Sequence, residues 1–232
     1  MSEIQTVRRL TLWIFFLPVI AINLCLLISV NYHLFEGTIF TVDQIGRSNF
    51  TIPYLDGSLS ISRASRTFPQ YLIFKPSMVL ASIVLIFYWI NYNRLINKIA
   101  ITNINYKFKI FGILSAILLI IHSIFLGIEA DLKLIKFLRR VVLLGFIIFE
   151  LAAQANFLYY LNKLKSKVAP ITNSNILRIK IAIVILLIVI AIASVPILVQ
   201  SGNTHFKHGL EWNYFIGVVF FYFLTYFYWK RS

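Results

Sequence analysis

The chain has 232 residues, of which 59% are hydrophobic, and a formal net charge of +14 at pH 7. Its apolar residues fall in long runs, which excludes an ordinary soluble domain because a soluble helix keeps one polar face toward water. The basic residues lie mainly at the ends of these runs. The charge therefore favours loops that face anionic lipid over a nucleic-acid partner.

Six hydrophobic stretches predict the architecture. A helix of about 20 residues crosses the ~30 Å hydrocarbon core and satisfies its own backbone hydrogen bonds there. Most connections between the stretches are short, so neighbouring helices are expected to pack antiparallel. The sequence therefore predicts an all-α fold in a multi-pass integral membrane protein: a single transmembrane domain over residues 1–232, built as a polytopic membrane bundle of six transmembrane helices. The predicted spans are 10–30, 71–92, 110–128, 138–161, 176–200 and 212–229.

The distribution of Lys and Arg among the connections predicts the orientation. With both termini in the cytosol, the cytosolic segments contain most of the bases, Lys180 among them, and only one acid, Glu3. This agrees with the positive-inside rule, although Arg139 and Arg140 oppose it. Residues 31–70 then form one long outer loop between the first and second helices. Connections of that length are usually functional or disordered.

Three polar residues lie inside predicted spans, where an ionisable group is costly and is therefore a functional candidate. His122 belongs to the third span, and Glu150 and Gln154 lie one turn apart on one face of the fourth. One interpretation is a buried polar site between these helices, which acts as a proton-linked switch or contacts a lipid head group. The alternative is that the side chains hydrogen-bond one another and fix the helix packing.

Five basic residues are expected near the outer membrane face: Arg63, Arg66, Lys75, Arg139 and Arg140. Arginine presents planar donors that match a phosphate group, so these residues are candidates for binding the head group of a membrane lipid, either phospholipid or glycolipid. The alternative is that they extend to lipid phosphates and only set the depth of the helices.

Motifs of the common catalytic and cofactor sites are missing from the sequence. It contains no G-x-S-x-G elbow, no P-loop and no dinucleotide-binding fingerprint. His205 and His208 are three residues apart but have no third ligand nearby, so neither a metal nor a cofactor is predicted. The single cysteine, Cys25, lies within the first span and can form no internal disulfide.

Two segments carry a resemblance to a known family. Glu211 and Trp212 open an aromatic stretch that reads E-W-N-Y-F and continues as F-F-Y-F-L-T-Y at 220–226. The other segment reads I-S-R-A-S at 61–65 and is followed by P-Q at 69–70 and by Phe74. Smaller matches are F-L-P at 16–18 and G-I-L-S at 112–115. In order and spacing these segments resemble the DRAM/Frag/Sfk family of six-helix membrane proteins, which includes autophagy modulators and GPI-anchor lipid-remodelling proteins.

The chain departs from the family pattern in the 61–70 segment. Arg63 stands where the family usually has Asp, Ser65 where it has Gly, and Gln70 where Glu is common. The first change reverses a charge, so the activity of any one family member does not transfer directly to this chain.

The resemblance implies one of two functions. The favoured one is a non-catalytic lipid-handling or membrane-regulatory factor, with membrane lipids as partners and a head-group site on the outer face. The alternative is a membrane enzyme that remodels lipid or GPI acyl chains. In that enzyme Ser62, His122 or Glu150 would carry the acid–base chemistry.

The matched segments also predict how the long loop is held. Trp212 is expected at the outer interface, where indole rings concentrate. Glu211 is expected to pair with Arg63 or Arg66, with Arg139 as the fallback partner. Such a pair, partly screened by water, would contribute about 1 kcal/mol and would close the loop over the bundle.

Overall fold

The computed structural model describes residues 2–102, 106–128, 133–200 and 202–230, and this part of the chain is helical with no β-strand. Six of its helices are long and apolar enough to span a membrane, as the sequence predicts. They are α1 (Ser2–Val30), α2 (Tyr71–Ala100), α3 (Lys107–Phe125), α4 (Lys133–Lys163), α5 (Ser174–Val199) and α6 (Thr204–Tyr228).

The helices differ in extent from the predicted spans mainly at their polar ends. Hydropathy marks only the apolar part of a helix, so α6 begins at Thr204 rather than at 212, and α4 continues to Lys163. The third span was predicted to reach 128, but α3 ends at Phe125. The chain leaves the helix there because Leu126 is extended and Gly127 has a φ of +79°.

The six helices form a closed ring in chain order. Each packs against its neighbours in sequence, and α6 returns to contact α1. Glu3 of α1 pairs with Lys98 of α2 at 3.5 Å, and Thr172, just before α5, bridges to Trp229, just after α6. These residues mark one end of the ring, here called the terminal face. The opposite end, where α1 ends and α2 begins, is the cap face.

The ring surrounds an aromatic core and turns apolar side chains outward. Large side chains without measurable contact with solvent include Trp89, Tyr88, Tyr92, Phe157, Phe221 and Tyr228. The outward surface of α5 shows the opposite pattern, because Leu186, Val189 and Ile192 are 57%, 54% and 69% exposed. An apolar exterior around a polar-aromatic interior is what a bilayer requires of a helix bundle.

Residues 31–70 connect α1 to α2 and fold onto the cap face; this segment is called the cap. It contains the short helices Pro53–Asp56 and Ile61–Ser65, and both contact α6. The N–H of Ser48 donates to the carbonyl of Ser29, which ties the cap to the end of α1. The cap therefore has its own helices and hydrogen bonds and is not an extended loop.

Candidate functional site

The first turns of α6 hold the cap by its backbone. His205 and His208 direct Nδ1 to the carbonyls of Asp56 and Gly57, at 3.2 and 3.0 Å. A carbonyl oxygen only accepts hydrogen bonds, so Nδ1 carries the proton in both rings. Asn213 donates to the carbonyl of Tyr54 at 2.7 Å. One helix thus binds three carbonyl groups, those of Tyr54, Asp56 and Gly57, around the end of the short helix Pro53–Asp56.

Trp212 anchors the same segment from inside. Its indole N–H donates to the carbonyl of Leu59 at 2.8 Å, and the side chain is fully buried. The ring of Tyr54 stacks edge-on against it, with the centroids 4.8 Å apart. The polar edge of the indole therefore satisfies the cap backbone while the ring fills the space between cap and bundle.

Gly57 allows the cap to approach α6 this closely. Its φ is +59°, in the left-handed region, and it ends the short helix Pro53–Asp56. A Cβ at this position would overlap the carbonyl group of His205. Any side chain here would separate the cap from the helix.

Glu211 also binds the cap, but not through an arginine. Its Oε1 accepts the backbone N–H of Ser62 at 3.3 Å. The ion pairs among the described residues join Arg47 to Glu36 and Lys98 to Glu3. The expected pairing of Glu211 with Arg63, Arg66 or Arg139 is therefore wrong. Ser62 lies in the second position of the short helix Ile61–Ser65, where backbone N–H groups have no partner within the helix and suit a carboxylate.

The arginines predicted near the outer membrane face belong to the cap and to the first turns of α4. Arg63, Arg66 and Arg140 are exposed and Arg139 is half-buried, and none of these four forms an ion pair with a described acid. The Nε–H of the Arg63 side chain donates to the carbonyl of Ile45, at 3.4 Å. The carbonyl of Arg66 lies against Gly127, which brings the cap next to the end of α3.

Lys75 differs from the arginines. Its ammonium lies 5.4 Å from the centre of the Tyr71 ring, one turn earlier on α2. A cation–π contact of this kind contributes about 0.5–1 kcal/mol at a partly exposed site. Lys75 therefore stabilises the side-chain packing on the surface of α2.

Inside the ring, Glu150 is the centre of a polar cluster. It is 1% exposed, and its carboxylate accepts hydrogen bonds from Ser115 of α3 at 2.7 Å and from Gln154 at 2.9 Å. The Tyr222 hydroxyl of α6 donates to the same carboxylate. Gln154 donates in addition to the carbonyl of Val218, at 3.3 Å. The cluster joins three helices, as the packing interpretation of Glu150 and Gln154 requires.

His122 lies apart from this cluster. It is partly buried on α3, and its Nδ1 has no hydrogen-bond partner among the described residues. Glu150 accepts its three hydrogen bonds from other side chains. Among the described residues no hydrogen bond joins His122 to Glu150 or Gln154.

Lys180, a base predicted to lie in a cytosolic connection, is buried. It lies in the second turn of α5, has no exposed surface, and donates from Nζ to the Thr225 hydroxyl at 2.6 Å. Its ammonium is 3.9 Å from the centre of the Phe221 ring and 5.1 Å from that of Phe157. The regular i, i+4 spacing of Phe221 and Thr225 on the aromatic face of α6 was the only sequence signal for this site.

The residues of the enzyme interpretation are not assembled. The Ser62 hydroxyl lies 3.3 Å from that of Ser60, and its own N–H binds Glu211, while Glu150 is buried within the ring. No described group of three His, Cys, Asp or Glu side chains could hold a metal ion. An apolar groove of about 260 Å³ between α4 and α5 is lined by Leu158 and Ile185 and lies in the half of the bundle nearer the terminal face. It is therefore distant from the arginines of the cap face.

Comparisons with family models, with curated proteins and with solved structures gave no match to the chain.

Proposed function

We propose that this multi-pass membrane protein is a non-catalytic lipid-handling or membrane-regulatory factor of the DRAM/Frag/Sfk type, with its cap face outside the cytosol. The observation that supports it is the set of arginines at that face that form no ion pair with a described carboxylate. Arg63, Arg66 and Arg140 are exposed residues of the cap face. A lipid phosphate supplies the planar acceptor pair that such a group binds best.

The rigid mounting of the cap supports the same proposal. Arg63 lies in the short helix Ile61–Ser65 and Arg66 directly follows it, and Glu211 binds the backbone N–H of Ser62 in the same helix. A head-group site is stronger when its donors are held in place before the ligand arrives, because less ordering is needed on binding. A docked helix that carries Arg63 and is followed by Arg66 supports the proposal for this reason.

Native mass spectrometry of the detergent-purified protein tests the proposal. Phosphatidylglycerol and phosphatidylcholine are titrated against the wild type and the triple variant R63Q/R66Q/R140Q. Loss of charge-assisted hydrogen bonds should weaken the anionic-lipid adduct by about tenfold or more. The matched control is K163Q/K165Q/R178Q, which removes three exposed bases toward the terminal face.

An equal loss of adduct in the two triple variants would mean that only overall charge attracts lipid. Incubation with either lipid also addresses the alternative, a lipid- or GPI-acyl-remodelling enzyme. An enzyme would change the acyl composition of the added lipid, whereas a binding or regulatory protein would return it unchanged.

A further inference from the structure

The cap exposes apolar side chains on the segment that α6 holds most firmly. Leu55 and Ile52 are both exposed, and between them lie Pro53 and Tyr54. These four residues, 52–55, are here called the tip of the cap. Apolar side chains that are exposed together on one segment, rather than singly, mark an interaction surface.

The tip lies against the seam between α1 and α6. The Tyr54 hydroxyl accepts a hydrogen bond from the Asn23 amide at 3.1 Å, and the Tyr54 carbonyl accepts one from Asn213 at 2.7 Å. Asn23 lies seven residues before Val30, the end of α1, which is about 10 Å along the helix axis. Asn213 lies one residue inside the apolar stretch 212–229. Tyr54 therefore lies at the membrane boundary and not above it.

The surface of α1 next to the tip is the surface that faces lipid. Leu24 directly follows Asn23, and Leu27 lies one turn later; both are exposed. Exposed apolar side chains on a spanning helix are in contact with acyl chains. Leu55 directly follows Tyr54 and turns its side chain away from the protein. The lipid-facing surface of the bundle thus continues onto the tip of the cap.

The backbone of the tip is paired in the way that a region poor in water requires. The N–H of Ile52 donates to the Asp56 carboxylate at 3.0 Å, and Pro53 has no N–H group. Side chains of α6 bind three of the carbonyls, where a loop in bulk water would use water molecules. Irregular backbone at membrane depth is tolerated only when its polar groups are satisfied in this way. Carbonyls from 52 to 57 that accept a hydrogen bond are those of Ile52, Pro53, Tyr54, Asp56 and Gly57.

We infer that the tip of the cap is an interfacial anchor, with Leu55 and Ile52 inserted among the lipids of the leaflet at the cap face. Its partner is the boundary between lipid head groups and acyl chains, where amphipathic segments lie. Tyr54 suits this depth, because its ring is apolar and its hydroxyl is polar. The contact needs no lipid charge, so it is separate from the arginines of the proposed function.

Spin labels on single cysteines measure the depth of the tip in nanodiscs of phosphatidylcholine. In a Cys25→Ala background, a label at Leu55→Cys should collide more often with oxygen, which concentrates among acyl chains, than with a water-soluble nickel complex. Ile39→Cys is the matched control, because Ile39 is 84% exposed and Leu55 is 85% exposed. The neighbouring Phe40 stacks on Phe68, which precedes α2, so Ile39 lies beyond the helix ends and its label should favour the nickel complex.

Two results would overturn the inference. In the first, the nickel complex reaches the Leu55→Cys label as readily as the Ile39→Cys label, which would place the tip in water. In the second, neither reagent reaches the Leu55→Cys label, which would place a second copy or another protein on the tip. Phosphatidylcholine carries no net charge, so neither result depends on the arginines of the cap face.

Leu55→Ser tests whether the anchor helps to hold the cap in place. Leu55 makes little contact with the protein, so the variant should keep the helix content of the wild type. In nanodiscs, protease should cleave residues 31–70 about fivefold faster, the factor expected when half of a leucine side chain loses its apolar surroundings. Ile39→Ser is the control and should leave the rate unchanged. Equal cleavage rates for the wild type and Leu55→Ser would contradict the anchor.

Discussion

Trp212 donates its indole N–H to the carbonyl of Leu59 at 2.8 Å, across 153 positions of sequence. This contact joins α6 to the cap, as do the polar contacts of His205, His208, Glu211 and Asn213. A tryptophan in this place combines a hydrogen-bond donor with a large ring, and both parts are used. The following predictions test this arrangement and the rest of the fold.

Replacement of Trp212 should release the cap. Trp212→Phe leaves the Leu59 carbonyl without its donor and should cost about 1–3 kcal/mol. Trp212→Ala also opens a cavity and should cost about 3–5 kcal/mol. Thermal unfolding in detergent and the rate of protease cleavage within 31–70 measure the two effects. The control is Trp13→Phe, because Trp13 is 58% exposed on α1; a similar loss in that variant would contradict the cap assignment.

Gly57→Ala should undock the cap through a steric conflict. Its Cβ would overlap the His205 carbonyl, in addition to the strain of a left-handed backbone conformation. Gly37→Ala isolates the strain, because Gly37 has a φ of +76° and nothing within 4 Å of its Cβ position. We expect Gly37→Ala to lower the free energy of unfolding by only about 1 kcal/mol, seen as a slightly lower midpoint of thermal unfolding. Gly57→Ala should in addition expose residues 31–70 to protease. Equal behaviour of the two variants would show that the close approach is unimportant.

Asp56 should make the short helix Pro53–Asp56 sensitive to acid. The N–H of Ser58 donates to its carboxylate at 2.8 Å, and the N–H of Ile52 and the Thr51 hydroxyl bind it as well. These donors lower the pKa of Asp56 from 3.8 to about 2. Because the folded pKa is depressed, the stabilisation is complete above the unfolded value and disappears as pH falls from about 4 to 2.

Pepsin cleavage of the cap, followed between those pH values, measures this loss. Asp56→Asn keeps the side-chain shape but removes the titration, so the ratio of wild-type to variant cleavage should rise toward the acidic end. A ratio that stays constant over the interval would exclude Asp56 as the source of the acid sensitivity.

Gly112→Ala should separate α2 from α3. A Cβ there would overlap the indole of Trp89, which is fully buried and cannot move aside. We expect a loss of about 1–3 kcal/mol from overpacking, measured as a lower midpoint of thermal unfolding. Gly145→Ala is the comparison, because its Cβ would meet only the end of the Leu118 side chain, which can shift. A variant pair with equal midpoints would contradict the packing of α2 against α3.

Cysteine labelling in a Cys25→Ala background tests the proposed orientation. Phe50 is 83% exposed on the cap, and Lys165 is exposed just after α4, at the terminal face. With the cap outside the cytosol, an impermeant maleimide added to intact cells should label Phe50→Cys and leave Lys165→Cys unlabelled until the membrane is opened. Labelling of both positions in intact cells would contradict the six-span topology.

The number and approximate positions of the six helices could be predicted from the sequence because a bilayer core requires about 20 apolar residues per helix, a local property of each segment. Glu150 and Gln154 could be identified in the same way, since a polar group within an apolar run is visible without knowledge of its neighbours. The boundaries of 31–70 followed directly from the ends of the first two spans.

The contacts of Glu211 and Lys180 were decided by tertiary structure. The sequence suggested an arginine as the partner of Glu211, but the bundle brings the N–H of Ser62 to it. This partner could not be predicted because a backbone group carries no sequence signal of its own. Lys180 reads as a base at the end of a span, yet Phe157 and Phe221 of two other helices cover it completely. Burial depends on neighbours that are distant in the chain, so hydropathy could place α5 in the membrane but could not show that its lysine lies inside the ring.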